Sequence, residues 1–225
     1  MQRNPLPMNF VVSEPIPLSA GDFAVPSRYY QSGTLIGARK HAGRRIIAEV
    51  CSAGRVRFFM PNMREVGVRL NYLRDEINAL ELSEGTLLIG DLVMEFGSHP
   101  SLREDAQAVG AFLDGSFESA QVALGRGPLP MLYVYNVIHG FSLEGRPYGD
   151  TLRWLQDALQ YGFYVRCVEQ VFGPPQSMLD TAVANSWEGV VLYDASYKIA
   201  CRAGRGKLRV TGCFFAPVEK RQPNA

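Results

Sequence analysis

Residues 131–138 read Met-Leu-Tyr-Val-Tyr-Asn-Val-Ile, and this run decides the fold class of the chain. A nearly continuous apolar run of this length is typical of a buried strand inside a sheet. A helix is predicted shortly after it, over residues 149–161, with Asp150 as its N-cap. Its apolar residues recur with helical spacing: Leu152, Leu155 and Leu159. A buried strand followed by an amphipathic helix predicts a sheet covered by helices.

Short strands and helices extend this pattern in both directions. Residues 45–50 and 55–59 are predicted to form a hairpin around the turn at Ala53-Gly54. Helices are predicted at residues 70–82 and, after a Pro-Pro pair, at 175–186. Further strands are predicted at residues 86–96, 164–171, 189–193 and 209–218, while residues 102–117 are too mixed to assign. Together these segments predict an α+β fold of twisted antiparallel sheets flanked by helices.

One domain is expected, because 225 residues are enough to bury a sizeable core. Residues 1–28 are rich in Pro and Ser and are predicted to be an extended N-terminal arm. The domain itself is predicted to span residues 29–218, and residues 219–225 form a polar tail.

The composition is that of an ordinary globular protein, with 47% hydrophobic and 20% charged residues and a net charge of +1. The cysteines are far apart and form no CxxC pair, which indicates buried thiols in a reducing cytoplasm and no structural zinc site. A signal peptide and a long apolar run are both missing, so neither secretion nor a membrane partner is expected. The oligomeric state does not follow from the sequence.

Basic residues form two clusters, one at residues 39–45 and one at residues 202–209. Such clusters can bind a polyanion, although solvated surface arginines explain them equally well when no motif is attached.

Five segments, in chain order, carry the residues that suggest chemistry. They are Lys-His-Ala-Gly-Arg-Arg at 40–45, Leu-Ile-Gly-Asp-Leu-Val at 88–93, Tyr-Val-Tyr-Asn-Val-Ile at 133–138 with Gly140, Leu143, Gly145 and Pro147-Tyr148 after it, Trp-Glu-Gly-Val-Val-Leu-Tyr at 187–193, and Gly-Lys-Leu-Arg-Val at 206–210. Their order and spacing resemble the motifs of the covalent nucleotidyltransferases, which are the DNA and RNA ligases and the mRNA capping enzymes. The resemblance implies a nucleotidyltransferase (adenylation) domain of the ATP-grasp-like DNA ligase type.

The first segment resembles the family's KxDGxR, which implies that Lys40 is the catalytic nucleophile. In that family the lysine amine attacks the α-phosphate of ATP, expels pyrophosphate and retains AMP. A lysine nucleophile needs a neighbouring cation or a metal to lower its pKa, and Arg39, Arg44 and Arg45 are predicted to provide positive surroundings. The resemblance further implies that Arg39 and Arg45 contact the nucleotide and that Gly43 lets the backbone approach it.

The second and fourth segments imply the metal ligands. Asp91 stands where the family has a glutamate, and strand alternation places Glu95 on the same face, where it could assist. Glu188 precedes a glycine and an apolar strand, as in the family's EGVVhK. Carboxylates suit a hard divalent cation that binds phosphate, so Mg²⁺ or Mn²⁺ is the expected cofactor beside ATP. Judged alone, each acid is equally consistent with a solvated side chain at a strand end.

The third and fifth segments imply nucleotide contacts. Tyr135 corresponds to the aromatic residue that stacks on the adenine, whereas Tyr133 is predicted to be a core residue. Lys207 and Arg209 correspond to the family's KxK, where cations bind the α-phosphate and the developing charge of pyrophosphate. Lys207 is therefore a second candidate catalytic residue.

Three departures from the family pattern concern acids: Ala38, Ala42 and Ile89 stand where the family has carboxylates. These substitutions put the reaction rate, the use of a metal and the base specificity in doubt. They affect the fold assignment less.

The resemblance implies an ATP-dependent polynucleotide ligase that joins 5′-phosphate to 3′-hydroxyl ends of DNA or RNA, at nicks or single-stranded ends. The nearest match is a compact phage-type ligase without an OB-fold domain, in the cytoplasm of a bacterial or phage-infected cell. Arg44, Arg202 and Arg205 are the predicted nucleic-acid contacts. Two alternatives remain open, a GTP-dependent capping-type guanylyltransferase and a degenerate relative that binds nucleotide or nucleic acid without turnover.

Overall fold

The computed structural model describes residues 10–12, 16–17, 35–96, 103–115, 129–138, 144–196, 198–203 and 213–217. Within them the strands β1 to β15 are, in chain order, Phe10–Val12, Ile16–Pro17, Leu35–Arg39, Arg44–Val50, Val56–Phe59, Leu87–Val93, Glu95–Phe96, Arg103–Glu104, Met131–Ile138, Glu144–Pro147, Val165–Cys167, Gln170–Phe172, Gly189–Asp194, Lys198–Ala203 and Cys213–Pro217. The helices α1 to α4 are Asn71–Ala79, Ala106–Asp114, Tyr148–Leu159 and Pro175–Ala184, and short 3₁₀ helices occupy Ser52–Gly54 and Gly67–Leu70.

Two five-stranded sheets form the body of the fold. The first sheet has the order β11-β9-β6-β4-β5 and the second has the order β12-β3-β13-β15-β2. Most neighbouring strands are antiparallel, while β11 pairs parallel to β9 and β2 pairs parallel to β15. A three-stranded sheet, β1-β14-β10, and the short pair β7-β8 complete the described part. The predicted α+β architecture of sheets flanked by helices is confirmed.

Strand β9 is an interior strand of the first sheet, as its apolar run predicts. Seven of its eight residues are buried, and β6 and β11 pair with it on either side. Helix α3 packs on it with the predicted apolar stripe, and Leu152, Leu155 and Leu159 belong to the main hydrophobic core. The hairpin of β4 and β5 and helix α1 also lie where their patterns predict them.

The second sheet has a smaller core of its own. All six residues of β13 are buried, and Met178, Leu179 and Ala182 of α4 pack against it. Pro175 begins α4, a position where the missing N–H of proline is not needed for helical hydrogen bonds.

Two local predictions were wrong. Asp150 does not cap α3, because the helix begins at Tyr148 after Pro147, which leaves Asp150 in the first turn. Residues 164–171 do not form one strand. The chain passes there from the first sheet to the second, and β11 and β12 belong to different sheets.

The unassigned segment around residues 102–117 contains a strand and a helix. Strand β8 pairs with β7, and α2 follows it directly. The Asp105 carboxylate caps α2 by accepting hydrogen bonds from the backbone N–H groups of Gln107 and Ala108, at 2.8 and 2.9 Å. Gly115 ends the helix with a φ of 89°.

The described pieces of the predicted N-terminal arm are extended and pair with the domain. Strand β1 pairs with β14, and β2 pairs with β15. The predicted last strand is present as β15, while residues 209–212 lie outside the described residues.

Among the described helices, none is both long enough and apolar enough to cross a membrane. Cys51 is buried, Cys167 is half-buried, and neither forms a disulfide. The side chains of Cys201 and Cys213 are not among those described.

The connection between β3 and β4 runs from one sheet to the other within residues 40–43. Gly43 makes it tight, because a Cβ at this residue would lie 2.5 Å from the carbonyl oxygen of Leu92 and 3.0 Å from Val93. The backbone of the connection is thereby pressed against β6.

A side chain at Gly43 should therefore destabilise the protein. We expect Gly43→Ala to lower the free energy of unfolding by about 1–3 kcal/mol, the usual range for forced overpacking. Gly110, in the middle of α2, is the matched control, since its added Cβ would be 3.6 Å from its nearest neighbour. Gly110→Ala should raise stability by about 0.5–1 kcal/mol through helix propensity. Urea unfolding of both variants tests this, and equal small effects would contradict the close contact.

Candidate active site

Lys40 lies where the two sheets meet. Its backbone N–H donates to the carbonyl oxygen of Gly189 at 3.0 Å, which ties it to the start of β13 in the second sheet. The preceding residue, Arg39, ends β3 and donates its backbone N–H to the carbonyl oxygen of Glu169 at 2.9 Å. The next strand, β4, already belongs to the first sheet. Lys40 is therefore held by backbone bonds on one sheet and faces the other.

The amine of Lys40 is close to two carboxylates, one from each sheet. Its Nζ is 3.7 Å from Asp91 Oδ2, on β6, and 3.9 Å from Glu188 Oε2, next to β13. The amine also donates a hydrogen bond to the carbonyl oxygen of His41. The Lys40 side chain is 31% exposed, so a ligand can reach it. The structure thus brings the predicted nucleophile, Lys40, together with Asp91 and Glu188, two of the three predicted metal ligands.

A row of side chains crosses the first sheet beside this amine. The strand registers place Arg45 opposite Asp91, Asp91 opposite Tyr133, and Tyr133 beside Arg166. Paired residues on neighbouring strands point to the same face of a sheet. These four side chains therefore share the face toward which Lys40 extends.

Tyr133 is at the site and not simply in the core. Its ring stacks on the ring of His41 with centroids 4.0 Å apart, and its hydroxyl donates to Glu95 at 2.7 Å. Burial, followed by the hydrogen bond to Glu95, raises the pKa of the Tyr133 hydroxyl. Tyr133 is buried, as predicted for a core residue, and its hydroxyl also engages the Glu95 carboxylate.

Glu104, on β8, binds three residues that flank the nucleophile: Arg39, His41 and Ala42. Its Oε1 accepts from the Arg39 guanidinium and, at 2.8 Å, from Nδ1 of His41. Its Oε2 accepts from the backbone N–H of Ala42 at 2.6 Å. The Glu104 side chain is only 9% exposed. A buried carboxylate with three donors is strongly satisfied, since charge-assisted hydrogen bonds are among the strongest in proteins.

These partners keep Glu104 ionised. Burial by itself would raise its pKa, but the hydrogen bond and charge of His41, the charge of Arg39 and the Ala42 amide outweigh burial and lower the pKa of Glu104. A carboxyl whose pKa is lower in the folded state stabilises the fold above its unfolded pKa, and this contribution is lost as the pH falls through the folded pKa.

Arg39 has its guanidinium between two acids. Besides Glu104, it donates to Glu169 Oε2 at 2.6 Å, and its Cζ lies 5.4 Å from the centroid of the Trp187 ring. Burial lowers the pKa of Arg39, but the hydrogen bond that it donates to Glu169 and the two carboxylate charges outweigh this and raise it. Arg39 therefore joins β3 to β8 and to Glu169 in the connection between β11 and β12.

Tyr135 and Arg45 form a second pair on the first sheet. Tyr135 is 9% exposed, and the Arg45 Cζ lies 5.8 Å from its ring centroid. Arg45 thus covers the ring that the sequence assigned to the adenine. The two residues are adjacent, as a shared nucleotide wall requires, and the ring itself is largely buried.

Positive charges were expected around Lys40, but the charged groups nearest to its amine are acids. Asp91 and Glu188 flank the amine, while the Arg39 guanidinium is engaged by Glu104 and Glu169. Arg44 is exposed and lies beside Gly110 of α2. Gly43 lies against the backbone of Leu92. The physical reason is that acids from other segments neutralise this basic stretch.

The remaining candidates fall at the edge of the described residues. Arg202 is part of β14, but its side chain is not described. Lys207, Arg209 and Arg205 lie outside the described residues.

A divalent cation fits the donor set, since Asp91 and Glu188 present hard oxygen ligands around one point. No group of three His, Cys, Asp or Glu side chains able to hold a metal occurs in the part of the chain that the structure describes. Two protein carboxylates suit Mg²⁺, which usually keeps several waters and shares its shell with substrate phosphates.

Sequence reasoning missed Glu104, His41 and Glu169. Glu104 lies in the segment that could not be assigned, and an isolated Glu carries no motif. The one available signal was the excess of cations at residues 39–45, which requires an acid from elsewhere if the stretch is buried.

The sequence matches no protein-family model and no curated protein. The structure, by contrast, is similar to solved DNA ligases. Mycobacterial DNA ligase D complexed with ATP and MES superposes with a TM-score of 0.62 over 92% of this chain, at 16% identity. The ATP-dependent DNA ligase from bacteriophage T7 in complex with ATP gives 0.54 over 89%, at 15% identity. A Lig E DNA ligase gives 0.51 over 92%, at 10% identity.

The chain spans 60% of the length of the ligase D structure, 67% of the T7 ligase and 70% of the Lig E ligase. Similarity at these identities concerns the path of the backbone. The described part of the chain therefore has the α+β nucleotidyltransferase fold of ATP-dependent DNA ligases.

Proposed function

We propose that this chain is an ATP-dependent polynucleotide ligase in which Lys40 carries AMP as a covalent intermediate. The observation that carries the proposal is the position of the Lys40 amine between Asp91 and Glu188, at the junction of two sheets whose fold is that of ATP-bound ligases. A lysine that only neutralised surface acids would not need to lie at this junction of the two sheets.

In the proposed first step the Lys40 nitrogen attacks the α-phosphorus of ATP. A nitrogen–phosphorus bond forms, the bond from phosphorus to the bridging oxygen breaks, pyrophosphate leaves, and a proton passes from the amine to solvent. The 5′-phosphate of a polynucleotide then attacks the same phosphorus, and the amine leaves and recovers a proton. Finally the 3′-hydroxyl oxygen attacks the 5′-phosphorus, the phosphoanhydride bond to AMP breaks, AMP departs, and the hydroxyl proton passes to solvent. Positioning and charge neutralisation supply most of the acceleration in such transfers.

Asp91 and Glu188 would hold Mg²⁺ or Mn²⁺, which when bound neutralises charge on the triphosphate. Ion pairing with these acids keeps the Lys40 amine beside the place where the α-phosphate must lie. Tyr135 and Arg45 are the proposed wall of the nucleotide site, given the ring-to-guanidinium contact. Lys207 and Arg209 are proposed to neutralise the leaving pyrophosphate. Arg39, bound by Glu104 and Glu169, is proposed to act on the nucleotide only through the segment it orders.

Incubation with ATP and Mg²⁺ should add one AMP to the intact mass of the protein. Lys40→Arg is the informative variant, because arginine retains the positive charge between Asp91 and Glu188 but does not deprotonate to become a nucleophile. We expect complete loss of the adduct in Lys40→Arg and an unchanged adduct in Lys220→Arg, which alters a lysine of the tail. An adduct that persists in Lys40→Arg would remove Lys40 from the proposal. A GMP adduct without an AMP adduct would indicate a capping-type guanylyltransferase, and no adduct with either nucleotide a non-catalytic binder.

Nucleic-acid ends are proposed to be held by the basic clusters, with Arg44, Arg202 and Arg205 as contacts. Phosphate contacts release counterions, so binding of a nicked duplex or single strand should weaken steeply with salt. The double variant Arg202→Glu with Arg205→Glu should lose nick sealing while it retains self-adenylation, because these residues would contact the strand and not ATP. Both activities are measured side by side in one preparation. Equal loss of both, or of neither, would show that the strand is held elsewhere.

A further inference from the structure

We propose that Glu104 is the positioning residue of the nucleophile segment, and that it fixes the Lys40 amine by binding the residues on both sides of it. The inference rests on the proposed function, since it concerns the rate at which Lys40 would take up AMP. It assigns a role to a residue that contacts neither nucleotide nor metal.

The segment around Lys40 has no acid of its own. Residues 37–45 contain Arg39, Lys40, Arg44, Arg45 and one histidine, and no Asp or Glu. Within it His41 is only 1% exposed and Arg39 and Ala42 are half-buried, whereas Arg44 is exposed. Charged and polar groups in such a place require partners, because an unpaired buried charge or donor costs several kcal/mol. Glu104 meets this requirement from 62 to 65 residues further along the chain.

The contacts of Glu104 bracket the nucleophile. One oxygen binds Arg39, before Lys40, and also His41, after it, and the other oxygen binds the Ala42 amide. A single carboxylate therefore fixes the backbone and side chains immediately before and after Lys40.

The connection to the reacting nitrogen passes through His41. The Lys40 amine donates a hydrogen bond to the His41 carbonyl oxygen. The His41 ring is fixed from two sides, by Glu104 at Nδ1 and by stacking on Tyr133 at 4.0 Å. Movement of His41 would therefore move the acceptor that orients the amine.

Glu104 is itself held rigidly. Strand pairing places it opposite Glu95, and the N–H of the next residue, Asp105, donates to the Met94 carbonyl oxygen at 3.0 Å. Asp105 caps α2, whose Val109 and Phe112 are buried in the main core. The carboxylate is thus connected to the core through one capped helix and one strand pair.

Glu104 is not placed to act on substrate. Its side chain is 9% exposed, and three donors occupy its two oxygens, which offer about four acceptor sites. Asp91 and Glu188, by contrast, are the acids that contact the amine itself. The role assigned to Glu104 is accordingly positional.

The test is the single-turnover rate of AMP adduct formation as a function of ATP concentration, in Glu104→Ala and Glu104→Gln. We expect the maximal rate to fall on the order of 100-fold in Glu104→Ala, the effect of a misplaced reacting group. The ATP concentration that gives half-maximal rate should stay nearly constant, because Glu104 does not touch the nucleotide. Glu104→Gln retains the size and one acceptor oxygen, so its rate should lie between those of Glu104→Ala and the unaltered protein.

Glu169→Ala is the matched control. It removes the other carboxylate from Arg39 but leaves the contacts of Glu104 to His41 and Ala42 in place. Its maximal rate should fall much less than that of Glu104→Ala, because the carboxylate that binds His41 and Ala42 is still present. An equal loss in Glu169→Ala and Glu104→Ala would overturn the proposal, since the charge of Arg39 alone would then account for the effect. Unchanged maximal rates in both Glu104 variants, or a rise only in the half-saturating ATP concentration, would also overturn it.

If Glu104→Ala does not fold, as judged by circular dichroism, the isosteric Glu104→Gln provides the test. The same two quantities are compared, the maximal rate and the ATP concentration that gives half-maximal rate. Absence of an adduct in the unaltered protein would remove the proposed function and this inference together. An adduct in the unaltered protein with undiminished rates in the Glu104 variants would remove only the inference.

Discussion

The site depends on one buried carboxylate. Glu104 accepts hydrogen bonds from the Arg39 guanidinium, the His41 ring and the Ala42 amide, and so orders the connection in which Lys40 lies. That connection runs from one five-stranded sheet to the other and contains no acid of its own, so without Glu104 the His41 ring N–H and the Ala42 amide would lose their partner. The carboxylate stays ionised because its donors lower its pKa more than burial raises it.

The two sheets supply the two acids that flank the Lys40 amine. One contributes Asp91 and the other contributes Glu188, and the Lys40 amine lies within 4 Å of both. Neither sheet alone could form this arrangement, so the geometry of the site depends on the junction. The close approach of Gly43 to Leu92 and the backbone bond from Lys40 to Gly189 keep that junction tight.

Local patterns predicted much of this and failed for definable reasons. The apolar run of β9 and the apolar stripe of α3 were sufficient to predict these two elements, because the spacing of apolar residues can be read from a short stretch of sequence. Lys40, Asp91 and Glu188 followed from motif order, and the structure brings them together. Glu104 could not be predicted, since its partners are more than 60 residues away and its own segment has no clear period. Asp150 was misjudged because the buried Tyr148 begins the helix two residues earlier.

Amide hydrogen exchange at Ala42 tests the central claim most directly. The Ala42 N–H is expected to exchange about 10–100-fold more slowly in the unaltered protein than in Glu104→Ala, as a hydrogen bond to a charged acceptor is worth about 1.5–3 kcal/mol. The amide of Ala108, bonded to Asp105, serves as an internal reference and should keep its protection in both proteins. Equal exchange of the Ala42 amide with and without the carboxylate would contradict the account, because Glu104 would then not order the segment that carries Lys40.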